Sequence, residues 1–311
     1  MSKVVLAYSG GLDTSIIIPW LKENYDNCEV IAVCGDVGQG DELDVVHDKA
    51  LASGASKVYI ADLKEEFVRD YVYPVIRSGA IYEGGYLLGT SCARPLIAKA
   101  LVEVAKKEGA DYIAHGATGK GNDQVRFESS VLMLDPALTI IAPVRNWDLG
   151  CRADEIEWAA AHGVPVKATT DKPYSIDDNL WGRAIECGHL EDPWNEPLDD
   201  AWVMTKNPED TPDTPTYTEI EFEAGKPVAV DGKKMKLSEI VIALNKISGD
   251  NGFGRLDLVE DRLVGLKSRE CYEVPGALTL ITAHKALEDI CVEGDLLKTK
   301  IKLEQDWATA V

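Results

Sequence analysis

The stretch from Val4 to Leu21 restricts the fold more than any other. An apolar, β-rich run (Val4 to Ala7) passes through Tyr8-Ser9-Gly10-Gly11-Leu12-Asp13-Thr14-Ser15 straight into a helix-like apolar run (Ile16 to Leu21). A strand that feeds a helix through a two-glycine bend is a building unit of α/β sheets. The paired glycines let the backbone turn with its N–H groups exposed, and neighbouring hydroxyls add donors. The helix that follows offers unpaired N–H groups and a positive dipole end, so a loop in this place is built to hold phosphate. An ordinary strand-to-helix turn competes with that reading, because Ser-Gly and Gly-Gly pairs punctuate many loops.

The same alternation continues along the chain. β-rich runs recur at Val30 to Cys34, Lys57 to Ile60, Tyr112 to Ala114 and Thr139 to Ala142, and helices are predicted over Ser15 to Asn24, Glu42 to Ser53, Pro95 to Glu108 and Asp154 to His162. This pattern predicts a parallel sheet wrapped on both faces. Pro19 falls in the first of these helices, either in its first turn or at a kink. After His162 the texture changes to segments rich in Pro, Asp and Asn (Thr170 to Asn179, Glu191 to Asp200, Asn207 to Thr216). A hairpin near Tyr217 to Val230, a helix over Leu237 to Ile247, a strand near Leu256 to Glu260 and a helical run over Val292 to Ala310 follow. A length of 311 residues fits two domains, which divide here into 1–165 and 166–311. The last run lacks a Gly, Asn or Pro stop signal, so the chain reads as cut short.

Charge and cysteine usage narrow the function classes. A formal net charge of −21 supplies no basic cluster for a nucleic-acid backbone, so an anionic nucleotide has to be held by local dipoles and metal. The seven cysteines are scattered and never form C-x-x-C, which suggests reduced thiols and a cytoplasmic protein. There is no basic, apolar leader at Met1 and no apolar run long enough for a bilayer. The histidines do not pair with cysteines at zinc-ligand spacing, Cys187 with His189 being the nearest approach, and no metal-ligating residues are assigned. Trp20, Trp158, Trp181 and Trp307 read as core or interface.

A second glycine-bearing loop, His115-Gly116-Ala117-Thr118-Gly119-Lys120-Gly121-Asn122-Asp123-Gln124-Val125-Arg126, follows the short strand at Tyr112 and leads into a helix. Ligands of open α/β sheets sit at the carboxyl ends of strands, so the two loops are expected to line one crevice.

The first loop lacks the Lys that ends G-x-x-x-x-G-K-[ST] and is not G-x-G-x-x-G. S-G-G-x-D-[ST]-[ST] instead resembles the pyrophosphate loop of the ATP pyrophosphatases. Taken with Tyr86-Leu-Leu-Gly-Thr-Ser91-Cys-Ala-Arg-Pro95, the second loop through Glu128, and Gly265-Leu-Lys-Ser-Arg269, the chain resembles argininosuccinate synthase over its whole length. The resemblance implies a doubly wound α/β sheet of the adenine nucleotide α-hydrolase type, followed by an α+β synthetase domain. It also implies ATP-dependent ligation of citrulline and aspartate through a citrullyl-AMP intermediate, as a step of arginine biosynthesis, with Mg²⁺ bridging phosphate oxygens.

Site residues follow from the same resemblance. ATP is expected at Ala7, Tyr8, Ser9, Gly10, Gly11, Leu12, Asp13, Thr14 and Ser15, with Gly35 near adenine and Gly116 near the nucleotide. Citrulline is expected at Tyr86, Ser91, Asn122, Arg126, Ser175, Glu260 and Tyr272, and aspartate at Thr118, Asn122 and Asp123. Catalytic roles fall to Asp13, Asp123 and Arg126. The Arg126 fork suits a substrate carboxylate, Glu260 suits an ammonium or ureido N–H group, and Asp123 an α-amino group. Alternatives stay open for single residues: Asp13 is a metal ligand or a helix cap, Gly35 a plain turn residue, Ser91 a cap for the helix at Pro95, and Arg126 and Glu128 members of a solvated face.

Two departures stand out. Ala184 occupies a position where the family usually places a citrulline-contacting Ser, which predicts weakened citrulline affinity. Family members also continue well past the equivalent of Val311, into the rest of the synthetase domain and an arm that clasps subunits in a homotetramer. Two rivals remain: an ATP-binding regulatory or inactive paralogue, and a tRNA-thiolating ATP pyrophosphatase. The latter is expected to carry a catalytic Cys pair and a basic surface, which this chain lacks.

Overall fold

The computed structural model describes residues 2–40, 43–165 and 174–311. The predicted helix start at Glu42 and the segment Thr170 to Pro173 lie outside them. The first part is a five-stranded parallel sheet built from β1 (Lys3–Ala7), β2 (Glu29–Asp36), β3 (Lys57–Asp62), β4 (Tyr112–Ala114) and β5 (Thr139–Ile141), in the order β3-β2-β1-β4-β5. The strands alternate with α1 (Leu12–Asn24), α2 (Leu43–Ala52), α3 (Lys64–Glu66), α4 (Tyr73–Ser78), α5 (Gly89–Glu108), α6 (Asp123–Leu134) and α7 (Arg152–Ala161), a π-helical turn over Phe67–Val72 joining α3 to α4.

Strand periodicity sorts the apolar side chains to the two faces. Val4, Leu6, Val30 and Ala32 pack against Ile17, Ile18 and Leu21 of α1 and Val46 and Ala50 of α2. The intervening Val5, Ile31 and Val33 pack against Ala98, Leu101 and Ala105 of α5. Both faces are covered, which is why the central strands read as continuous apolar runs. The chain leaves β1 in one direction through β2 and β3, then crosses back to β4 on the other side of β1. The carboxyl ends of β1 and β4 therefore flank a topological switch point, where such sheets bind ligands.

The second part is antiparallel. β8 (Ile220–Glu223), β9 (Lys226–Val230) and β10 (Lys233–Lys234) form one sheet. β6 (Ser175–Asn179), β7 (Gly182–Glu186), β11 (Arg255–Asp261) and β12 (Lys267–Glu273) form another, ordered β11-β12-β7-β6. Helices α8 (Leu237–Asp250), α9 (Pro275–Cys291) and α10 (Gly294–Ala310) complete it. The largest core cluster draws on both parts: Phe67, Val72, Leu87 and Leu96 pack with Trp181, Ile240, Leu244, Tyr272 and Leu280. Trp181 is fully buried and its indole N–H donates to the Leu87 carbonyl at 2.8 Å.

Several expectations are corrected. Helix α5 starts at Gly89, six residues before Pro95, after Leu88 in the left-handed region (φ +62°). Ser91 therefore lies inside the helix and does not cap it. Helix α1 starts at Leu12, so Pro19 sits beyond its first turn. Strands β6, β7 and β12 and helix α9 were not expected at all. No helix among the described residues is long and apolar enough to cross a membrane, and the seven cysteines are unbridged.

Candidate active site

The first loop folds around its own hydroxyls. Gly10 takes φ +76°, a conformation L side chains rarely adopt. A Cβ there would also press on Val46 Cγ2 at 3.3 Å. The Gly11 N–H donates to Ser9 Oγ at 3.3 Å, the Ser9 and Thr14 hydroxyls lie 3.2 Å apart, and Ser15 Oγ donates to the Gly11 carbonyl at 2.7 Å. Gly11 is the N-cap of α1 and no side chain caps that end. The first-turn N–H groups of Leu12, Asp13 and Thr14 thus remain available to an anion. The capping alternative for Asp13 is thereby removed, since this residue sits in the first turn.

A cavity of about 730 Å³ opens at this helix end. Ala7 through Thr14 line it, with Gly35, the next-to-last residue of β2, and Gly116 after β4. The two glycine loops thus share one crevice, at the switch point. Gly119 and Thr118 do not reach it: both are exposed and line neither cavity described here. Ser15 is fully buried behind the loop, 3.1 Å from the Tyr8 hydroxyl, and supports the loop from the rear. Gly35 is closely packed, since a Cβ would meet Ile97 Cγ1 at 3.0 Å and Leu63 Cδ1 at 3.1 Å.

Next to it lies a second cavity of about 590 Å³, lined by Tyr86, Ser91, Asn122, Arg126 and Glu260 among others. Here the polar groups are interlocked. The Ser91 N–H donates to the Tyr86 hydroxyl at 2.9 Å, and the Tyr86 ring stacks on Tyr272 at 5.0 Å between centroids. The Tyr272 hydroxyl lies 2.5 Å from Glu260 Oε1 and 2.8 Å from Glu270 Oε2. Burial, then the charge of Glu270, pushes the Glu260 carboxyl up to about 7. Asn122 Oδ1 accepts the Leu263 N–H at 2.9 Å and so ties the second loop to the end of β11.

Of the seven residues expected around citrulline, five line this cavity, Tyr272 stacks on Tyr86 without lining it, and Ser175 is the outlier. It lines the first cavity, beside Asp177. Register explains how both sites draw on one sheet. Asp177 of β6 opposes Ala184 of β7, which opposes Tyr272 of β12, and Ser175 opposes Glu186. Side chains directly opposite share a face, so these residues and Glu270, two before Tyr272, stand on the same side of the sheet.

The two cavities meet at ionic groups of α5 and α6. Asp123 accepts from Arg94 Nε at 2.7 Å and from Arg126 Nη1 at 3.0 Å, and Arg94 Nη2 donates to Asp177 at 2.5 Å. Burial would raise the Asp123 carboxyl, but the two guanidiniums outweigh it and hold the group below its ordinary value. The solvated-face alternative for Arg126 fails, because its side chain is only 17 % exposed.

Residues 3–165 match the family description "Arginosuccinate synthase N-terminal HUP domain", and residues 174–311 match "Arginosuccinate synthase C-terminal domain". The argininosuccinate synthase of Thermoanaerobacter pseudethanolicus is 59% identical over 309 residues, 99% of this chain and 75% of that protein. Those of Desulfitobacterium hafniense and Streptococcus gordonii are 56% and 54% identical, over 100% and 99% of this chain and 77% and 76% of their own lengths. This chain belongs to the argininosuccinate synthase family. The resemblance drawn from the motifs is borne out, and with it the parallel α/β sheet of the first part.

Sequence reasoning about the argininosuccinate synthase motifs passed over several cavity residues. Arg94, Gln39, His115, Arg152 and Asp177 all line the first cavity. Arg94 had a usable signal: it stands three residues after Ser91, on the same helix face. His115 is buried, stacks on Phe127 at 5.6 Å and accepts the Ala117 N–H at Nδ1. Burial first, then Arg145, lowers it to about 4 against the pull of Glu128, so it stays neutral.

Proposed function

We propose that this chain joins citrulline to aspartate at the expense of ATP and releases AMP and pyrophosphate, as argininosuccinate synthases do. The citrulline ureido oxygen attacks the α-phosphorus, the bond from that phosphorus to the pyrophosphate oxygen breaks, and citrullyl-AMP forms. The aspartate amine then attacks the ureido carbon and AMP leaves with its oxygen. Such chemistry depends on placing two amino acids against one phosphorus atom and on neutralising phosphate charge.

The observation that carries the reading is the junction of the two cavities. One opens on the uncapped N-terminus of α1 and Gly116, the other on Tyr86, Ser91 and Glu260, and Asn122, Asp123 and Arg126 stand between them. ATP phosphates fit the N–H groups of the first loop, and adenine the wall near Gly35. Citrulline fits the second cavity with its carboxylate on Arg126. Aspartate fits the boundary, its α-amino group on Asp123 and a further contact from Asn122, while Thr118 would have to close in from the rim.

Magnesium suits the donors present. Among the described residues no three His, Cys, Asp or Glu side chains gather into a metal site. Asp13 shares a hydrogen bond with Glu155, whose carboxyl burial and then Asp13 push up to about 7. One or two carboxylates with phosphate oxygens is a donor set that Mg²⁺ accepts. The ion would supply charge neutralisation on the phosphates, with Asp13 as its nearest protein ligand. A cytoplasmic homotetramer belongs to the same proposal; light scattering of the purified chain tests the assembly. No observation favours the regulatory or tRNA-thiolating alternatives.

Pyrophosphate release from ATP, measured with citrulline and aspartate added singly and together, tests the function. Release is expected to follow turnover only with both, accompanied by argininosuccinate in the mass spectrum. Release indifferent to both amino acids would overturn the reading.

A further inference from the structure

The structure assigns Arg94 the role of a positioning residue for the second substrate amino acid: it fixes the Asp123 carboxylate at the junction of the two cavities and ties it to the β6 strand. This deepens the proposed function and rests on it. Three observations carry the assignment.

The first is the geometry of the fork. Arg94 donates from Nε to Asp123 Oδ2 and from Nη2 to Asp177 Oδ1, so one planar group spans α6 and β6. Its side chain is 19 % exposed and lies over the Phe127 ring at 5.9 Å. A planar guanidinium held in-plane by two carboxylates and from one side by a ring has little freedom. The second is placement. Arg94, Asp123 and Asp177 all line the nucleotide cavity, while Arg126, the other partner of Asp123, lines its neighbour. The third is electrostatic completeness. Asp123 faces Arg94 from α5, Arg126 from its own helix, His115 from the loop after β4, and Glu186 from β7. Of these, His115 is neutral, and Glu186, pushed up to about 8, offers no positive charge. Two guanidiniums alone keep a buried carboxylate ionised and ready to accept from an ammonium group.

Arg126 is assigned to a substrate carboxylate, so its hold on Asp123 weakens when substrate arrives. Arg94 then becomes the group that keeps Asp123 charged and aimed. Removing it predicts a defect confined to the step that uses the amine, with citrulline activation spared.

The test compares Arg94→Gln and Arg94→Lys with the parent chain. Citrulline-dependent exchange of labelled pyrophosphate into ATP, which needs no aspartate, is expected to stay within about twofold of the parent. The aspartate KM is expected to rise tenfold or more in the Gln variant and less in the Lys variant. The acid limb of kcat/KM for aspartate is expected to move up by about one pH unit, because a buried carboxylate that loses a guanidinium neighbour protonates earlier. An unchanged aspartate KM and acid limb, or an equal fall in exchange and ligation, would overturn the assignment. So would loss of the folded state by both variants, which would make Arg94 scaffold. A parent chain that neither exchanges nor ligates would instead overturn the proposed function.

Discussion

Ala184 shows how much a single register position decides. It stands between Asp177 and Tyr272 across three strands, on the face that serves both cavities. A hydroxyl there would stand on the same face as Tyr272 and Glu270. One hydrogen bond is worth about 1 kcal/mol, or roughly a fivefold change in affinity. Ala184→Ser is therefore expected to lower the citrulline KM about fivefold while leaving the aspartate KM unchanged, as measured by steady-state kinetics. Equal citrulline KM values would show that this methyl position makes no substrate contact. The same residue scale explains why the first loop could be read before its structure was known. Its two glycines and hydroxyls are local devices, each with a short-range partner, whereas Arg94 works through residues 29 and 83 positions away.

At the scale of elements, legibility followed burial. Strands β1 and β2 lie under helices on both faces, so Val4 to Leu6 and Val30 to Val33 are apolar without a break. Strands β6, β7 and β12 escaped because the face they turn to the site is polar: Ser175, Asp177, Glu186, Glu270. A strand that spends one face on carboxylates loses the alternation that marks it. Helix α5 was read six residues too short because Gly89, Thr90 and Ser91 are weak helix formers and Pro95 resembles a start. The carboxylates on this sheet also set its response to pH. Burial, then the charge of Glu270, pushes Glu186 up to about 8 against Arg262, and Glu260 up to about 7. Both lie above the roughly 4.3 of an unfolded chain. The folded state thus binds more protons between these values, and the stability these groups contribute is lost as pH rises through 7 and 8. Glu186→Gln keeps an acceptor for Arg262, which donates to Glu186 at 2.7 Å, and removes that loss. Its melting temperature relative to the parent is expected to be higher at pH 9 than at pH 6. A difference independent of pH would show that Glu186 titrates as an ordinary exposed carboxyl.

The whole molecule combines a net charge of −21 with a site for a polyanion. Attraction at long range is absent, so binding rests on short-range donors: the N–H groups at the α1 N-terminus for the phosphates and the Arg126 guanidinium for a substrate carboxylate. Holding such donors in register across two sheets requires the two parts to move as one body. The shared core supplies this, since Trp181 carries no exposed surface and its N–H is spent on the Leu87 carbonyl, on the far side of residue 165. Truncating a large buried aromatic side chain costs about 3–5 kcal/mol. Trp181→Ala is expected to lower stability by that amount, and its effect should reach both parts together. In urea, the parent should unfold in a single transition that superimposes by tryptophan fluorescence and far-ultraviolet circular dichroism. The variant's transition should move to lower urea, with the two probes still coincident. Separate transitions in the parent would mean that the parallel sheet and the antiparallel sheets hold their own cores. The junction between the cavities would then be a hinge, and the ion pair from Arg94 to Asp177 a latch across it.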